Sequence, residues 1–477
     1  MGAITVNVLV SNRRKKLICI ACMSMYFTYQ FVSYACNVSL TRLLEEIGSL
    51  SYYSAIATAH TLGMMISAPV AGRLSDTLGR KWLTVCSLGL FLASMGFASL
   101  AIHPMAYLLF RAVCSACAGF FMGMMIALLS DVTEKSERPP WLGLLSSSAA
   151  TGMLLGPLVG GLLSDMGLYR LSHLVGIPTG VFSMVVLVLF YPNKKNPNLD
   201  ANTKFDFKGL LLLFVSACSI VGWLNFSGKA FERFSLTGIS LLALGACCAI
   251  LLVLVEKRSP NPVLDLTLFR YREFRIASLC HVLYAVYIGV AANYIPLYGQ
   301  KVLGISATIT STLAIPQTIT SIVLSSFIGV LIRRSQKNFK PAYIVCGLCG
   351  AVPLLVWSTL LSRSGNTILV YAFMVFGGIG YALDQVISSA YMQTTMPTEK
   401  LGFAQGFMVF CSSSGMTMAN AIAGTIVNMG QSLQTSIPIV FLVSAAAVSV
   451  IFFMGVFVIK RAKNEVAGQV VSASDRP

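Results

Sequence analysis

The sequence predicts an all-α polytopic membrane protein with fourteen transmembrane helices and both termini in the cytoplasm. Hydrophobic residues make up 56% of the 477 residues and charged residues only 11%, whereas a soluble domain carries about 25% charged residues. The apolar residues form separate runs of about 20 residues, the length that crosses a bilayer as a helix. Lysine and arginine concentrate in alternate loops, which is typical of the cytoplasmic side.

Fourteen apolar runs define the predicted spans, and the charge distribution supports their number. In this topology 27 of the 34 lysines and arginines are cytoplasmic, six are external, and Arg111 lies within a span. A missed helix would invert every later loop and remove this bias. The basic cluster Asn12–Lys16 precedes the first span, so the N-terminus is predicted to be cytoplasmic. The predicted spans are 17–40, 53–72, 82–102, 106–130, 142–164, 172–192, 207–227, 235–256, 274–296, 306–332, 341–362, 366–390, 402–428 and 434–459.

Composition and motifs also argue against several function classes. The net charge of +17 comes from short loops between apolar runs, so it reflects membrane topology and does not indicate nucleic-acid binding. The thirteen cysteines all fall within apolar runs without further ligands nearby, so we expect packing residues, without a metal site or structural disulfides. The sequence has no phosphate-binding loop, and the loops are too short for a catalytic domain. We therefore expect neither an enzyme nor a cofactor.

The spans are organised as six, two and six. This predicts an N-terminal six-helix bundle (1–192), a linker with two extra helices (193–265) and a C-terminal six-helix bundle (266–477). The fifth span of each half has small residues at every fourth position, which lie on one helix face. These residues are Gly152, Gly156 and Gly160 in the first half and Gly415, Ala419 and Ala423 in the second. Paired halves around a central site are the architecture of an alternating-access transporter.

The fifth span contains the pattern G-x-x-x-G-P-x-x-G-G at Gly152–Gly161. Its glycine face lets another backbone approach closely, and Pro157 removes a backbone donor and bends the helix. Ordinary helix packing would also explain this spacing. With its counterpart in the second half, we interpret the stretch as a close contact between the halves that seals the cavity towards the inside or prevents proton leak. The residues that carry this pattern are Gly152, Gly156, Pro157, Gly160 and Gly161.

A second signature joins spans 2 and 3. In this loop Gly72 and Gly79 are expected to allow a tight reversal, and Arg80 and Lys81 to anchor the inner face. Asp76 can cap the N-terminus of the third helix or pair with a cation from a neighbouring helix.

These two motifs resemble signatures of the major facilitator superfamily, and in particular of its fourteen-span drug:proton antiporters. The loop matches the superfamily's loop 2–3 signature, and the fifth-span pattern matches the antiporter signature at every fixed position. The resemblance implies two six-helix bundles with an inserted hairpin, and proton-coupled efflux of small amphipathic compounds across the cell membrane by alternating access. Three further segments resemble the family: Phe205–Gly209, Asn261–Arg270 and Pro296–Gly304.

Arg111 is the one basic residue within a predicted span. An isolated arginine there costs about 2.5 kcal/mol or more on insertion scales, so it needs a polar partner. The resemblance implies a role in proton coupling for this position. The family's Gln-Gly that follows is replaced here by Cys114 and Ser115, so the local detail differs. A structural arginine paired to backbone carbonyls is the alternative.

Asp384 is the only carboxylate well inside a predicted span. Burial disfavours the charged form of a carboxyl group, so this residue is a candidate site for binding and releasing a proton or for a substrate cation. Alternatively, hydrogen bonds from Tyr381, Gln385 or Ser388 hold it in a structural role, or it lies nearer the surface.

Polar and aromatic residues recur at helical spacing in spans 1 and 9, which occupy corresponding places in the two halves. Such stripes favour a central cavity for an amphipathic organic ligand, although hydrogen bonding between helices is an alternative for each residue. The cavity candidates are Tyr26, Gln30, Asn37, His60, His281, Tyr284, Tyr287 and Gln385.

One departure from the family leaves the substrate open. Many relatives that export cations carry an acidic residue in the first helix, where Val32 stands here. This, with Arg111, His60 and His281, weakens the case for a cationic drug. The alternative is a proton-coupled importer of an organic anion or nutrient on the same fold. The expected partners are a small-molecule substrate, protons and the lipid bilayer, with no nucleic acid and no obligate protein partner evident.

Overall fold

The computed structural model describes residues 11–134, 137–192, 206–228, 230–259, 262–334, 339–361, 366–393 and 398–459. Every regular element of these ranges is helical. Fifteen α-helices follow one another along the chain: α1 (Asn12–Glu46), α2 (Tyr53–Leu78), α3 (Arg80–Ser99), α4 (Pro104–Val132), α5 (Arg138–Asp165), α6 (Ile177–Phe190), α7 (Phe207–Phe226), α8 (Leu236–Arg258), α9 (Arg272–Lys301), α10 (Ala307–Thr312), α11 (Ile315–Arg334), α12 (Phe339–Val356), α13 (Thr367–Gln393), α14 (Thr398–Met429) and α15 (Leu433–Phe453).

Thirteen segments of the described residues are long and apolar enough to cross a membrane. The remaining predicted span corresponds to α14, which has 32 residues but is interrupted by serine, threonine and asparagine side chains. The tenth predicted span, expected as one helix, is divided into α10 and α11. Pro316 explains this break, because proline lacks the amide hydrogen and its ring clashes with the carbonyl four residues earlier. The chain is therefore a multi-pass helical membrane protein.

The helices pack in two groups and a hairpin. In the first group (α1–α6), α1 packs along α5 and α6, and α4 packs between α2 and α3. In the second group (α9–α15), α9 packs on α14 and α15, and α13 on α11 and α12. The hairpin α7–α8 packs on itself, and α7 also contacts both α2 and α14. The two groups meet where α2 packs along α14 and α5 contacts α10.

The glycine face of α5 packs against α1. A Cβ atom on Gly156 would lie 2.5 Å from the carbonyl oxygen of Phe31, and one on Gly160 would meet the carbonyl of Ala35. The two backbones are therefore in direct contact, as the small-residue spacing predicts. The predicted contact between halves is wrong for this face, because α1 and α5 belong to the same group.

Gly161 points in another direction from the other glycines of this stretch. A Cβ atom there would lie 2.8 Å from the carbonyl oxygen of Ala307, in α10 of the second group. In α14, the helix that corresponds to α5, Gly415 contacts the backbone of Val282 in α9. The fifth span thus packs closely on the first span in both groups, and Gly161 of α5 contacts the second group.

Polar contacts join the groups at the end of the molecule where α5 terminates, which we call the Asp165 end. The carboxylate of Asp165 accepts hydrogen bonds from the amides of Ala307 (3.0 Å) and Thr308 (2.8 Å) in α10. Glu45 at the end of α1 forms an ion pair with Lys301 at the end of α9. These contacts hold the first and fifth helices of one group against the second group.

The opposite end, which we call the Arg80 end, contains ion pairs within the first group. Arg80 pairs with Asp131 at 2.6 Å, and Lys15 pairs with Glu137 at 2.7 Å. The hydrogen bond from Lys15 lowers the pKa of Glu137 below the ordinary carboxyl value. The signature loop therefore contacts the end of α4.

The predicted cap of the third helix is wrong in position. α3 begins at Arg80, and its N-cap is Gly79 with φ of 86°, a backbone conformation that favours glycine. Asp76 lies in the last turn of α2, and Gly72 lies within the same helix. Gly79 alone therefore makes the turn between α2 and α3, without the predicted help of Gly72. Asp76 and Gly72 belong to the residues whose side chains are not described, so the predicted ion pair of Asp76 lies outside the described part.

Candidate functional site

A cavity of about 440 Å³ lies between the two helix groups, within the size range of small-molecule sites. Its wall comes from α1, α2, α4 and α5 on one side and from α9, α13 and α14 on the other. Four tyrosines and five methionines line it, together with amide, hydroxyl and imidazole groups. None of its described lining residues is Asp, Glu, Lys or Arg. The surface is thus uncharged, apart from two histidines, and suits an amphipathic molecule.

Six of the eight predicted cavity residues line this space: Tyr26, Gln30, Asn37, His60, His281 and Gln385. Tyr284 and Tyr287 do not, and both are fully buried. The Tyr284 hydroxyl donates to the carbonyl of Gly377 at 2.8 Å, and the Tyr287 hydroxyl donates to Gln317 at 3.1 Å. The prediction is corrected for these two residues, because they face α11 and α13 in the interior of the second group.

The sequence analysis missed several residues of the cavity wall. Tyr34 follows Gln30 by four residues and therefore extends the same helix stripe, a signal that was present in the sequence. Tyr29 and Tyr381 also line the cavity. The methionines of the wall gave no such signal, because methionine is a common filler of helix interfaces. They are Met64, Met122, Met125, Met408 and Met416.

Asp384 forms a buried pair with His281. Its Oδ2 atom lies 2.7 Å from Nδ1 of His281, and the Asp384 side chain is fully buried. The hydroxyl of Ser388 donates to Oδ1 at 3.3 Å, so one partner considered from the sequence is present. His281 and Ser388 both line the cavity. The imidazole therefore lies between the cavity and the carboxyl group, and a proton can pass between them through a hydrogen bond that already exists.

Arg111 has a different environment. Its side chain is 2% exposed, and Nε and Nη1 are buried without a hydrogen-bond partner among the described residues. The expected pairing of these two nitrogens with backbone carbonyls is therefore absent from this part of the chain. The ionisable side chains that interact with Arg111 are Tyr107, Cys36, Cys114 and Tyr29, and tyrosine and cysteine are uncharged at neutral pH. None of these is a carboxylate.

His60 interacts electrostatically with Arg111 and lines the cavity. The charge of Arg111 acts on the His60 ring, whose Nδ1 atom is buried with no described hydrogen-bond partner. Ser115, which stands in the place of the family's Gln-Gly, donates to the His60 carbonyl and accepts from the amide of Met64 at 3.0 Å. Ser115, one of the two residues that depart from the family pattern, thus attaches α4 to α2 at this position.

The two buried charges occupy corresponding positions. Arg111 lies in the fourth span of the first group, and Asp384 lies in α13, the fourth span of the second group. Each has a neighbouring histidine that lines the cavity, His60 for Arg111 and His281 for Asp384. The uncharged cavity therefore has a buried cation behind one wall and a buried carboxyl behind the other.

The described residues contain no group of three or more His, Cys, Asp or Glu side chains arranged to hold a metal ion. All thirteen cysteines are free.

Comparisons with known proteins agree with this architecture. The family model "Major Facilitator Superfamily" matches residues 22–420 and 279–473. The chain is 24% identical over 392 residues to "Multidrug transporter protein MdtP" of Bacillus subtilis, covering 82% of this chain and 71% of that protein. It is 26% identical over 379 residues to "Multidrug resistance protein Stp" of Mycobacterium tuberculosis, covering 78% of this chain and 68% of that protein.

Solved structures share the fold at low sequence identity. A peptide transporter POT in complex with sulfate has a TM-score of 0.69 at 15% identity, covering 92% of this chain and 94% of that one. The nucleoside transporter NupG has a TM-score of 0.58 at 14% identity, covering 93% and 98%. Similar proteins by sequence are thus named multidrug transporters, and similar structures are transporters. The chain belongs to the major facilitator superfamily.

Proposed function

We propose that this protein is a proton-coupled exporter of small amphipathic organic compounds that works by alternating access across the cell membrane. The observation that carries this proposal is the buried Asp384–His281 pair, which connects a protonatable carboxyl group to a central cavity through the 2.7 Å hydrogen bond. The direction of transport follows the relatives, which are named multidrug transporters and resistance proteins.

The proposed topology has fourteen spans with both termini in the cytoplasm. The bundles comprise residues 1–192 and 266–477, and residues 193–265 contain the inserted hairpin. The packing of α1–α6 and α9–α15 as separate groups supports this division. In this topology the Asp165 end faces outwards and the Arg80 end faces the cytoplasm.

The distribution of contacts supports alternating access. Hydrogen bonds and an ion pair join the groups at the Asp165 end, whereas the cavity extends to Leu142 and Ser146 near the start of α5 and to Met408 near the start of α14. In the proposed topology, this distribution supports an inward-open arrangement with the outer side closed. The glycine face of α5 makes α1 and α5 move together, and Gly161 contributes to the outer closure rather than to an inner seal.

Proton coupling follows from competition at the pair. A protonated pair carries no net negative charge towards the cavity, whereas a deprotonated pair attracts a hydrogen-bond donor or a basic group of the substrate. Substrate binding from the cytoplasm then favours loss of the proton, and proton binding from outside favours release of the substrate. Arg111, for which the family resemblance implies a role in coupling, contributes a fixed positive charge on the opposite side.

Everted membrane vesicles with an imposed pH gradient test this proposal. Accumulation of norfloxacin, a fluorescent aromatic zwitterion, should require an acidic interior and fall to the level of vesicles without the protein in Asp384→Asn. Asp265→Asn is the matched control, because this aspartate caps a short helix through a local bond to Thr267 and should transport normally. Accumulation that ignores the gradient, or that survives in Asp384→Asn, would contradict the coupling.

A second candidate is a proton-coupled importer of an organic anion. The uncompensated Arg111 and the apolar Val32, which is 1% exposed, favour it. Right-side-out vesicles distinguish the two, because an importer takes up its substrate when the outside is acidic, whereas an exporter does not.

A further inference from the structure

We propose that Arg111 and His60 form an anion site at the wall of the central cavity, and that this site takes the carboxylate of an amphipathic aromatic substrate. The inference rests on the proposed transport function and narrows its substrate class to organic acids and zwitterions.

The first argument is that buried donors are left without partners. Arg111 is a donor-only group that stays protonated in proteins, and its Nε and Nη1 atoms have no hydrogen-bond partner in the described ranges. The Nδ1 atom of His60 is in the same condition. Buried polar atoms are nearly always hydrogen-bonded, so the two Arg111 nitrogens indicate a ligand that accepts hydrogen bonds, and His60 can donate to the same ligand in the tautomer that carries its proton on Nδ1.

The second argument is the missing counter-charge. The ionisable side chains that interact with Arg111 are tyrosines and cysteines, which are uncharged at neutral pH, and the described cavity wall contains no acidic side chain. Buried charges in proteins are normally paired, and a guanidinium matches a carboxylate with two parallel hydrogen bonds. An anion that enters from the cavity supplies the charge that the described surroundings lack.

The third argument is access. Tyr29 and His60 both line the cavity, and their rings stack with centroids 6.4 Å apart. Tyr29 is also one of the groups that interact with Arg111. The charge of Arg111 also acts on the His60 ring, so a carboxylate bound at His60 lies within the electrostatic reach of Arg111.

The rest of the cavity suits the remainder of such a molecule. Methionine and tyrosine side chains surround the space between the histidines, and such side chains accept flat apolar groups in variable orientations. His281, backed by Asp384, faces the cavity from the second group. A zwitterion would place its basic or donor group there and its carboxylate towards Arg111.

Equilibrium binding tests the anion site without any proton gradient, so it is independent of whether the protein is an antiporter. The probes are naphthalene-1-acetate and its amide, which have the same ring and differ in charge. The purified protein in nanodiscs should bind the acetate at least about tenfold more tightly, a difference of 1.4 kcal/mol. Arg111→Gln should remove this preference and keep amide binding, while Arg111→Lys should keep part of the preference. Arg233→Gln, which alters an arginine beside Trp223 outside the cavity, should leave it unchanged.

The outcomes separate the possible sources of the anion. Binding of the acetate is measured in chloride salt and in salt of the bulky isethionate ion. Weaker acetate binding in chloride would show that a free inorganic anion reaches the same site, and the preference for the carboxylate over the amide would stand. If chloride strengthens binding of the amide, and the acetate binds no more tightly than the amide, the site holds a free ion. That result would overturn the proposed substrate class. Equal wild-type binding of acetate and amide, or an intact preference in Arg111→Gln, would also overturn it.

A second variant keeps the test decisive if Arg111→Gln does not fold. His60→Phe retains an aromatic ring at the wall and removes the unpaired nitrogen, so it should lower the acetate preference severalfold while amide binding persists. An unchanged preference in a folded His60→Phe protein would contradict the site. If the wild-type protein prefers the acetate to the amide but shows no gradient-driven transport, the antiport proposal is rejected and the anion site stands.

Discussion

The fourth spans of the two helix groups each bury an ionisable side chain, but among the described residues the protein compensates only one of them. Asp384 in α13 has His281 at 2.7 Å and Ser388 at 3.3 Å. Arg111 in α4 has two buried nitrogens with no described partner. A carboxyl group can be neutralised by a proton, whereas an arginine cannot lose its charge in proteins. By our proposals, the corresponding positions serve different chemistry, with a proton bound on one side and a substrate anion on the other.

The close packing of the fifth span on the first, in contrast, is shared by both groups, and its disruption should have the largest effect. Gly156→Leu forces side-chain atoms against the Phe31 carbonyl, and Gly415→Leu does the same against Val282. Because α1 and α9 both line the cavity, each variant should abolish transport in vesicles and weaken ligand binding.

Gly143→Leu is the matched control for this experiment, since it lies in the same helix with nothing within 4 Å of a Cβ atom. It should transport at the wild-type rate. Full activity in Gly156→Leu would show that α1 and α5 are not held together by this face.

The two histidines should differ in their contribution to stability. His281→Gln removes the partner of a buried carboxyl group, and breaking a buried pair costs about 3–5 kcal/mol. His60→Gln removes an imidazole whose Nδ1 has no described partner, so its cost should be small. Thermal unfolding in detergent at neutral pH measures both. Equal losses of stability would contradict the contrast between the compensated and the uncompensated charge.

Most of the fold was predictable because membrane helices are long, apolar and bounded by charged loops. The errors occurred where the local pattern was ambiguous. α10 and α11 form one apolar run in the sequence. Proline breaks a helix when it lies in the interior but is tolerated in the first turn, so the sequence alone did not decide whether Pro316 divides this run. The serines and asparagines of α14 face the cavity and other helices, so they interrupt the apolar pattern without ending the helix.

Most residues of the site could be identified from the sequence, but which of them contact one another could not. Asp384 and His281 each stood out as a polar group in an apolar run, yet they are 103 residues apart, and only tertiary packing brings them together. Tyr284 was assigned to the cavity because it follows His281 by one turn. A three-residue step rotates the side chain by about 60° around the helix, which is enough to turn the ring from the cavity to the interior of the second group.

Ser388 offers the finest test of how Asp384 is compensated, and its effect should be the smallest. Ser388→Ala removes a buried hydrogen bond to a carboxyl group, which is worth about 1.5–3 kcal/mol when the acceptor is ionised and about 1 kcal/mol when it is neutral. The loss of unfolding free energy in Ser388→Ala therefore reports the charge of Asp384. Ser183→Ala serves as a control for a buried serine that donates to a backbone carbonyl, at 2.9 Å from that of Thr179. A loss in Ser388→Ala that grows with pH, while that of Ser183→Ala stays constant, would show that Asp384 titrates in the folded protein, and a loss independent of pH would place proton binding elsewhere.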